Sequence, residues 1–145
     1  MTLLPARKDG TRMGMTHVAA TVSPVLPGGS SVTAQFLVDT GAIDCLLPTS
    51  LLRQAGIEPD RADFYELADG RLIELPVAFA RIEFMGSLVI VKIVFGPEDA
   101  EPILGAIALE AAGFVVDPTK QSLRRLAARS LKKARAHRLS VGSAA

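Results

Sequence analysis

One β-type segment of the chain runs directly into a carboxylate and a glycine. Alternating β-branched, apolar and polar residues over Ser31–Val38 predict a strand, and Asp39–Ala42 (Asp-Thr-Gly-Ala) follows without a break. The largely apolar stretch Ile43–Leu47 comes next, so Asp39 lies between two segments that favour the protein interior. Gly41 lets the backbone approach another group closely. Two interpretations are open at this point: a turn that ends a strand, or a carboxylate placed for chemistry.

The remainder of the chain up to residue 126 predicts further short strands and two brief helices. Helices are predicted over Leu51–Ala55 and Ala106–Ala112, each followed by a glycine that favours a helix end. Ala68-Asp69-Gly70 between two β-type runs is typical of a hairpin. The other predicted strands are Met15–Ser23, Phe64–Leu67, Arg71–Ile82, Leu88–Phe95, Phe114–Val116 and Ser122–Leu126. This alternation of strands and turns predicts a small, mainly β domain, as a barrel or a folded-over sheet.

Length and composition favour one folded unit with an appendage at each end. A chain of 145 residues with 49% hydrophobic residues has material for a single packed core. We therefore expect a flexible N-terminal arm over residues 1–14, one domain over residues 15–126 and a basic tail over residues 127–145.

Several classes of protein are disfavoured by the sequence. The longest apolar run, Leu88–Phe95, is interrupted by Lys92 and is far shorter than the ~20 residues that span a bilayer. Arg7 and Lys8 are not followed by an apolar block, so no signal peptide is expected. The single Cys45 excludes an internal disulfide and a cysteine-based zinc site. We therefore expect a reducing, cytoplasmic location.

Charge is distributed unevenly along the chain. Residues 120–145 contain eight Lys and Arg residues and no Asp or Glu, whereas residues 1–119 contain all 15 acidic residues. The commoner interpretation of such a tail is a solvated appendage. The alternative is contact with nucleic acid or with an anionic membrane surface.

A second motif changes the interpretation of Asp39. About sixty residues later, Pro102–Ala106 (Pro-Ile-Leu-Gly-Ala) again leads an apolar pair into a glycine and a predicted helix. The order of Asp-Thr-Gly-Ala, a hairpin, and Ile-Leu-Gly before a helix resembles the retropepsin-like (retroviral-type) aspartic proteases. The chain looks most similar to their single-domain bacterial members, over about residues 15–126. The resemblance implies a small closed acid-protease barrel with two short helices, one lobe per chain.

The resemblance also implies a role for particular residues. Asp39 would be the catalytic aspartate, and Thr40 and Gly41 would complete its loop. Tyr65–Ile73 would form a flap over the substrate, with Asp69 and Gly70 at its tip. The residues that it assigns to substrate contact are Ala42, Tyr65, Leu67, Ala68, Asp69, Gly70 and Ile103. Leu104 and Gly105 would pack behind the catalytic loop.

The implied chemistry requires two carboxylates, although the chain contains Asp-Thr-Gly once. Two such carboxylates around one water share a proton, so that one acts as general base and the other as general acid. A homodimer with one shared site is therefore expected, acting as an endopeptidase on extended polypeptide segments. This mechanism needs no metal and no organic cofactor, so neither is expected.

Two features depart from the retroviral pattern. Ile43 and Ala106 stand where retroviral enzymes commonly carry an acidic residue and an arginine that pair. Both charges are missing together, so no single charge is left unpaired. The chain also continues beyond Leu126, and its dimer contacts are therefore not transferable from retroviral enzymes. Two alternatives remain: a non-catalytic dimerising or peptide-binding module with the same fold, or a dimerisation platform for the basic tail.

Overall fold

The computed structural model describes residues 16–117, 119–120 and 122–126. The predicted N-terminal arm, residues 1–14, and the predicted basic tail, residues 127–145, lie outside the described residues.

The described residues form nine strands and two short helices. The strands are β1 (Thr16–Ser23), β2 (Val32–Val38), β3 (Cys45–Pro48), β4 (Arg61–Glu66), β5 (Leu72–Phe84), β6 (Ser87–Gly96), β7 (Ile103–Leu104), β8 (Phe114–Asp117) and β9 (Ser122–Arg125). The helices are α1 (Thr49–Gln54) and α2 (Ala106–Ala112). The predicted mainly β fold with two short helices is confirmed. Neither helix is long and apolar enough to cross a membrane.

Six of the strands pair into a ring. The sheet order is β1-β2-β7-β3-β6-β5-β4, and β1 also pairs with β5, which closes the ring and leaves β4 outside it. Most pairs are antiparallel, but β2–β7 and β3–β6 are parallel. β8 and β9 form a separate two-stranded sheet. The segment that begins with Asp39 leaves the ring at the point where β2 pairs with β7.

Two hydrophobic clusters lie on opposite faces of the strands. Successive side chains of a strand point to opposite faces, so neighbours divide between the clusters. The larger cluster includes Phe36, Leu47, Ala78, Ile93 and Leu104. The smaller one, which we call the second cluster, is formed by Leu37, Leu46, Val77, Val94, Ala100 and Ile103. The centre of the sheet is therefore buried on both faces, beside the β2–β7 junction.

The structure differs from the sequence-based expectations at several elements, among them β4, which begins at Arg61 and not at Phe64, and β7, where no strand is expected. Cys45–Pro48 is a strand in which all four residues are buried, so no alternation marks it. The first helix begins at Thr49, not at Leu51. A two-residue turn, Met85–Gly86, joins β5 to β6, with Phe84 paired to Ser87.

Candidate active site

Asp39 stands where β2 leaves the sheet. Leu37 pairs with Ile103 in the short parallel ladder of β2 and β7. On either side of that pair, the Leu37 N–H donates to the Pro102 carbonyl at 2.9 Å and the Asp39 N–H donates to the Leu104 carbonyl at 3.1 Å. These bonds fix the backbone of Asp39 against the strand that carries the second motif. Asp39 itself is half-buried, so its carboxylate remains within reach of solvent.

The loop after Asp39 folds back on the carboxylate. The Gly41 N–H donates to Asp39 Oδ1 at 2.9 Å, and the Ala42 N–H donates to the Asp39 carbonyl at 3.1 Å. A Cβ at Gly41 would lie 3.2 Å from Asp39 Oδ1, which is tighter than ordinary van der Waals contact. Thr40 and Gly41 are exposed. The loop therefore orients one carboxylate oxygen and presents its own tip to solvent or to a partner.

Gly105 packs against the far end of the same loop. A Cβ there would lie 2.5 Å from the Asp44 carbonyl oxygen and 2.7 Å from that of Ile43, and these backbone atoms cannot move aside. The Gly105 N–H donates to Cys45 Sγ at 3.5 Å. Only glycine permits this approach, and the approach holds the Asp39–Cys45 segment against the start of α2.

The first N–H groups of α2 complete the junction. The Ala106 N–H donates to the Ala42 carbonyl at 2.7 Å, and the Ile107 N–H donates to the Ile43 carbonyl at 3.2 Å. The first N–H groups of a helix lack partners within the helix, so the loop supplies partners for two of them. Loop and helix therefore form one hydrogen-bonded unit.

Cys45 lies close to the loop but is not a reactive thiol. It is 1% exposed, and burial raises the pKa of its thiol to about 12. The thiol is therefore protonated at neutral pH and packs as a small apolar side chain.

A hairpin formed by β4 and the first part of β5 extends from the ring beside this loop. Its turn is closed by the Leu67 N–H on the Arg71 carbonyl at 2.8 Å and by the Gly70 N–H on the Leu67 carbonyl at 2.9 Å. Gly70 has a φ of 87°, a left-handed conformation that this tight turn requires and that glycine adopts without steric cost. Hydrogen bonds from the backbone N–H and side chain of Arg71 lower the pKa of Asp69. The predicted tip, Ala68–Gly70, is exposed.

One face of this hairpin packs beside Ala42. Tyr65 and Leu75 are partly buried against the second cluster, as is Ala42. The structure thus brings Tyr65 close to the loop that bears Asp39, and Leu67 is half-buried just after the end of β4. Ile103, predicted to contact substrate, is 1% exposed because β7 is flanked by β2 and β3. In this chain it is a packing residue beneath the loop, as is Leu104, which is fully buried in the larger cluster.

Three charged residues near the loop, Asp44, Asp63 and Lys92, have no definite role assigned from the sequence. Tyr65 Oη donates to Asp44 Oδ2 at 2.8 Å. Lys92 Nζ lies 3.6 Å from that same oxygen and donates to Asp63 Oδ2 at 2.5 Å. The signal that could have revealed this set is Lys92 itself, since a cation within an apolar strand requires a partner.

The protonation of this group follows from its contacts. The hydrogen bond with Asp63 raises the pKa of Lys92, and the same bond lowers the pKa of Asp63. Burial, and then the bond to Asp44, raise the pKa of Tyr65 above its ordinary value. Lys92 is therefore a cation and Tyr65 a neutral donor at neutral pH. Within the described ranges, no group of three or more His, Cys, Asp or Glu side chains is placed to hold a metal ion.

Comparison with known families agrees with this geometry. A family model described as "Aspartyl protease" matches residues 20–107, which run from β1 into α2 and include Asp39, the β4–β5 hairpin and Gly105. A search of the curated proteins finds no match. Because the matched span covers more than half of the 145 residues, the chain belongs to the aspartyl protease family.

Proposed function

We propose that the protein is a retropepsin-like aspartic endopeptidase that acts as a homodimer, with Asp39 as its catalytic residue. The observation that carries the proposal is the half-buried Asp39 carboxylate, held at the end of β2 and oriented by the Gly41 N–H. The order of the Asp39 loop, a protruding hairpin and Gly105 before α2 supports the retropepsin-like type.

The mechanism requires a second chain. Asp-Thr-Gly occurs once in the sequence, and hydrolysis by this route needs two carboxylates around one water. Two Asp39 carboxylates at one site share a proton, because both cannot easily be ionised at such short range. The ionised carboxylate takes a proton from water, while the protonated one donates a hydrogen bond to the scissile carbonyl. The exposure of Thr40 and Gly41 supports contact between this loop and the same loop of a partner.

The proposed substrate is an extended polypeptide segment. The β4–β5 hairpin would act as the flap, with Ala68–Gly70 as its tip. Ala42 and Tyr65 pack against the second cluster, and both they and Leu67 are half-buried, which supports an apolar wall that a substrate can reach. Strand-like substrates suit such a site because main-chain hydrogen bonds hold them and pockets select their side chains.

Cleavage of a diverse peptide pool between pH 4 and pH 7 tests the proposal. The assay compares wild type with Asp39→Asn, with and without a statine-type inhibitor. Asp99→Asn, a change of the same kind in an exposed loop, serves as the matched control. The proposal predicts cleavage by wild type and Asp99→Asn that the inhibitor blocks, and no cleavage by Asp39→Asn.

The assay is run at a protein concentration at which sedimentation shows a dimer. If wild type and Asp39→Asn then behave alike, the endopeptidase proposal fails. That result would favour the alternative of a non-catalytic dimerising or peptide-binding module.

A further inference from the structure

A compact set of polar side chains connects three separate elements beside the Asp39 loop. Asp44 follows that loop, Tyr65 and Asp63 lie on β4, and Lys92 lies in the middle of β6. We call these four residues the Asp44 cluster. Its members are far apart in sequence and meet because side chains of β4 reach Asp44, just before β3, and Lys92 on β6.

Asp44 is the most enclosed of the three charged members of the cluster. Its side chain is 8% exposed, against 26% for Lys92 and 29% for Asp63. A carboxylate so enclosed requires partners, and here a neutral phenol donates to one oxygen while an ammonium lies 3.6 Å from the same atom. Asp44 therefore has a defined direction, toward β4.

Main-chain pairing holds β4 along one edge. Among the described strands it pairs only with β5, at the end of the sheet and outside the ring. No described strand pairs with its other edge. Two side-chain hydrogen bonds attach β4 to other elements of the protein. Tyr65 on β4 donates to Asp44, and Lys92 on β6 donates to Asp63 on β4.

Stability alone does not account for the Asp44 cluster. Replacing enclosed ion pairs by well-packed apolar residues is often neutral or stabilising. Lys92 shares its face of β6 with Val94, a buried residue of the second cluster, so an apolar residue would suit its position. Unlike apolar packing, a directed hydrogen bond fixes the distance and angle between two elements.

We propose that Asp44 is a positioning residue that latches β4 to the Asp39 loop through the hydroxyl of Tyr65, with Lys92 holding Asp44 and Asp63 together. Lifting the hairpin then requires these bonds to break, so the latch sets how far the hairpin stands from Asp39. Its consequence for catalysis rests on the proposed endopeptidase function, whereas the latch itself does not.

Amide hydrogen exchange tests the latch without any need for activity. Wild type is compared with Tyr65→Phe, which removes only the hydroxyl, and with Asp44→Asn, which removes the charge. Glu74→Gln, on the exposed face of the same hairpin, is the matched control. Loss of a hydrogen bond to a charged acceptor should raise the exchange of amides 61–67 and 71–75 about tenfold, with no change at 89–95.

The double variant shows whether the two residues act as a pair. If they form one latch, Tyr65→Phe combined with Asp44→Asn accelerates exchange no more than the stronger single change. Fully additive effects would overturn the proposal. Equal hairpin exchange in wild type and Tyr65→Phe would also overturn it, as would acceleration spread evenly over the whole ring.

Steady-state kinetics distinguish a positioning role from a purely structural one, because the two affect KM and kcat differently. On a peptide that the wild type cleaves, the latch predicts that Tyr65→Phe raises KM about tenfold and changes kcat less than about twofold. A fall in kcat at unchanged KM would place the Tyr65 hydroxyl in the chemical step and overturn the latch. If the wild type cleaves no peptide while the hairpin amides of Tyr65→Phe exchange faster than those of wild type, the endopeptidase proposal is refuted and the latch is supported.

Discussion

At the scale of single residues, the geometry around Asp39 depends on a position sixty-six residues later. Gly105 lies against the backbone of Ile43 and Asp44, and Asp39 is tied by its N–H to Leu104. The φ of Gly105 is −87°, which any residue can adopt, so glycine is needed here for space and not for conformation. The Asp39 loop and the Pro102–Ala106 motif are therefore one structural unit.

We predict that Gly105→Ala damages this unit. The added methyl would meet the Asp44 carbonyl oxygen at 2.5 Å. Overpacking costs about 1–3 kcal/mol, and rigid backbone neighbours place this change near 3 kcal/mol. Urea unfolding would measure the loss of free energy, and peptide cleavage would fall with it because Asp39 is displaced.

Gly29→Ala is the matched control for that change. A Cβ at Gly29 would meet Pro24 Cγ at 3.2 Å, a side-chain atom near an exposed turn that can shift. It should alter the free energy of unfolding by less than about 0.5 kcal/mol. Equal effects of the two substitutions would contradict the proposed role of Gly105.

At the scale of elements, the ring depends on tight connections between long strands. β5 and β6 are joined by Met85 and Gly86, with φ values of 49° and 80°. Two successive residues with positive φ between paired strands form a type I′ turn, which suits the twist of a hairpin and favours Asn-Gly. Met85 is thus a non-glycine residue in a left-handed conformation, and it is 48% exposed.

Met85→Asn should therefore stabilise the protein. Asparagine adopts the left-handed region more readily than methionine, and little apolar burial is lost at this exposed site. We expect a gain of about 0.5–1 kcal/mol in the free energy of unfolding, measured in urea. Met85→Leu, which keeps an unfavourable side chain for this turn, should give no gain. A loss of stability in Met85→Asn would argue against the turn.

The elements that the sequence predicts well are those with local signals. Asp69 and Gly70 mark their hairpin by residue type, and glycines follow both helices. Met85 carries no turn signal, so its hairpin could not be recognised. The strand Cys45–Pro48 was not predicted because burial on both faces removes the alternation that identifies a strand. The Asp44 cluster was not predicted. Lys92 within an apolar strand indicates that a partner is needed, but its partners lie up to 48 positions away, where no local pattern identifies them.

At the scale of the whole molecule, two exposed isoleucines lie beside the Asp39 loop. Ile43 is 67% exposed and Ile107 is 45% exposed, and their backbones share a hydrogen bond beside the loop. A single chain carries one Asp39, so the proposed site is complete only when two such surfaces meet. The two isoleucines are well placed to be covered in that dimer.

Ile107→Lys should weaken the proposed dimer. A charge without a partner is costly to cover, so the dissociation constant should rise at least about tenfold. Analytical ultracentrifugation would measure it. Ile90→Lys is the matched control, since Ile90 is 50% exposed but lies on β6, away from the Asp39 loop. An equal effect of both changes would place the interface elsewhere.

A subunit-mixing experiment shows whether two chains share one site. Wild type and Asp39→Asn are mixed at constant total protein, allowed to exchange subunits, and assayed for peptide cleavage. If each site needs two Asp39 carboxylates, activity follows the square of the wild-type fraction, and an equal mixture retains roughly a quarter of it. If each chain carries its own complete site, the equal mixture retains roughly half, and the shared-site account is contradicted.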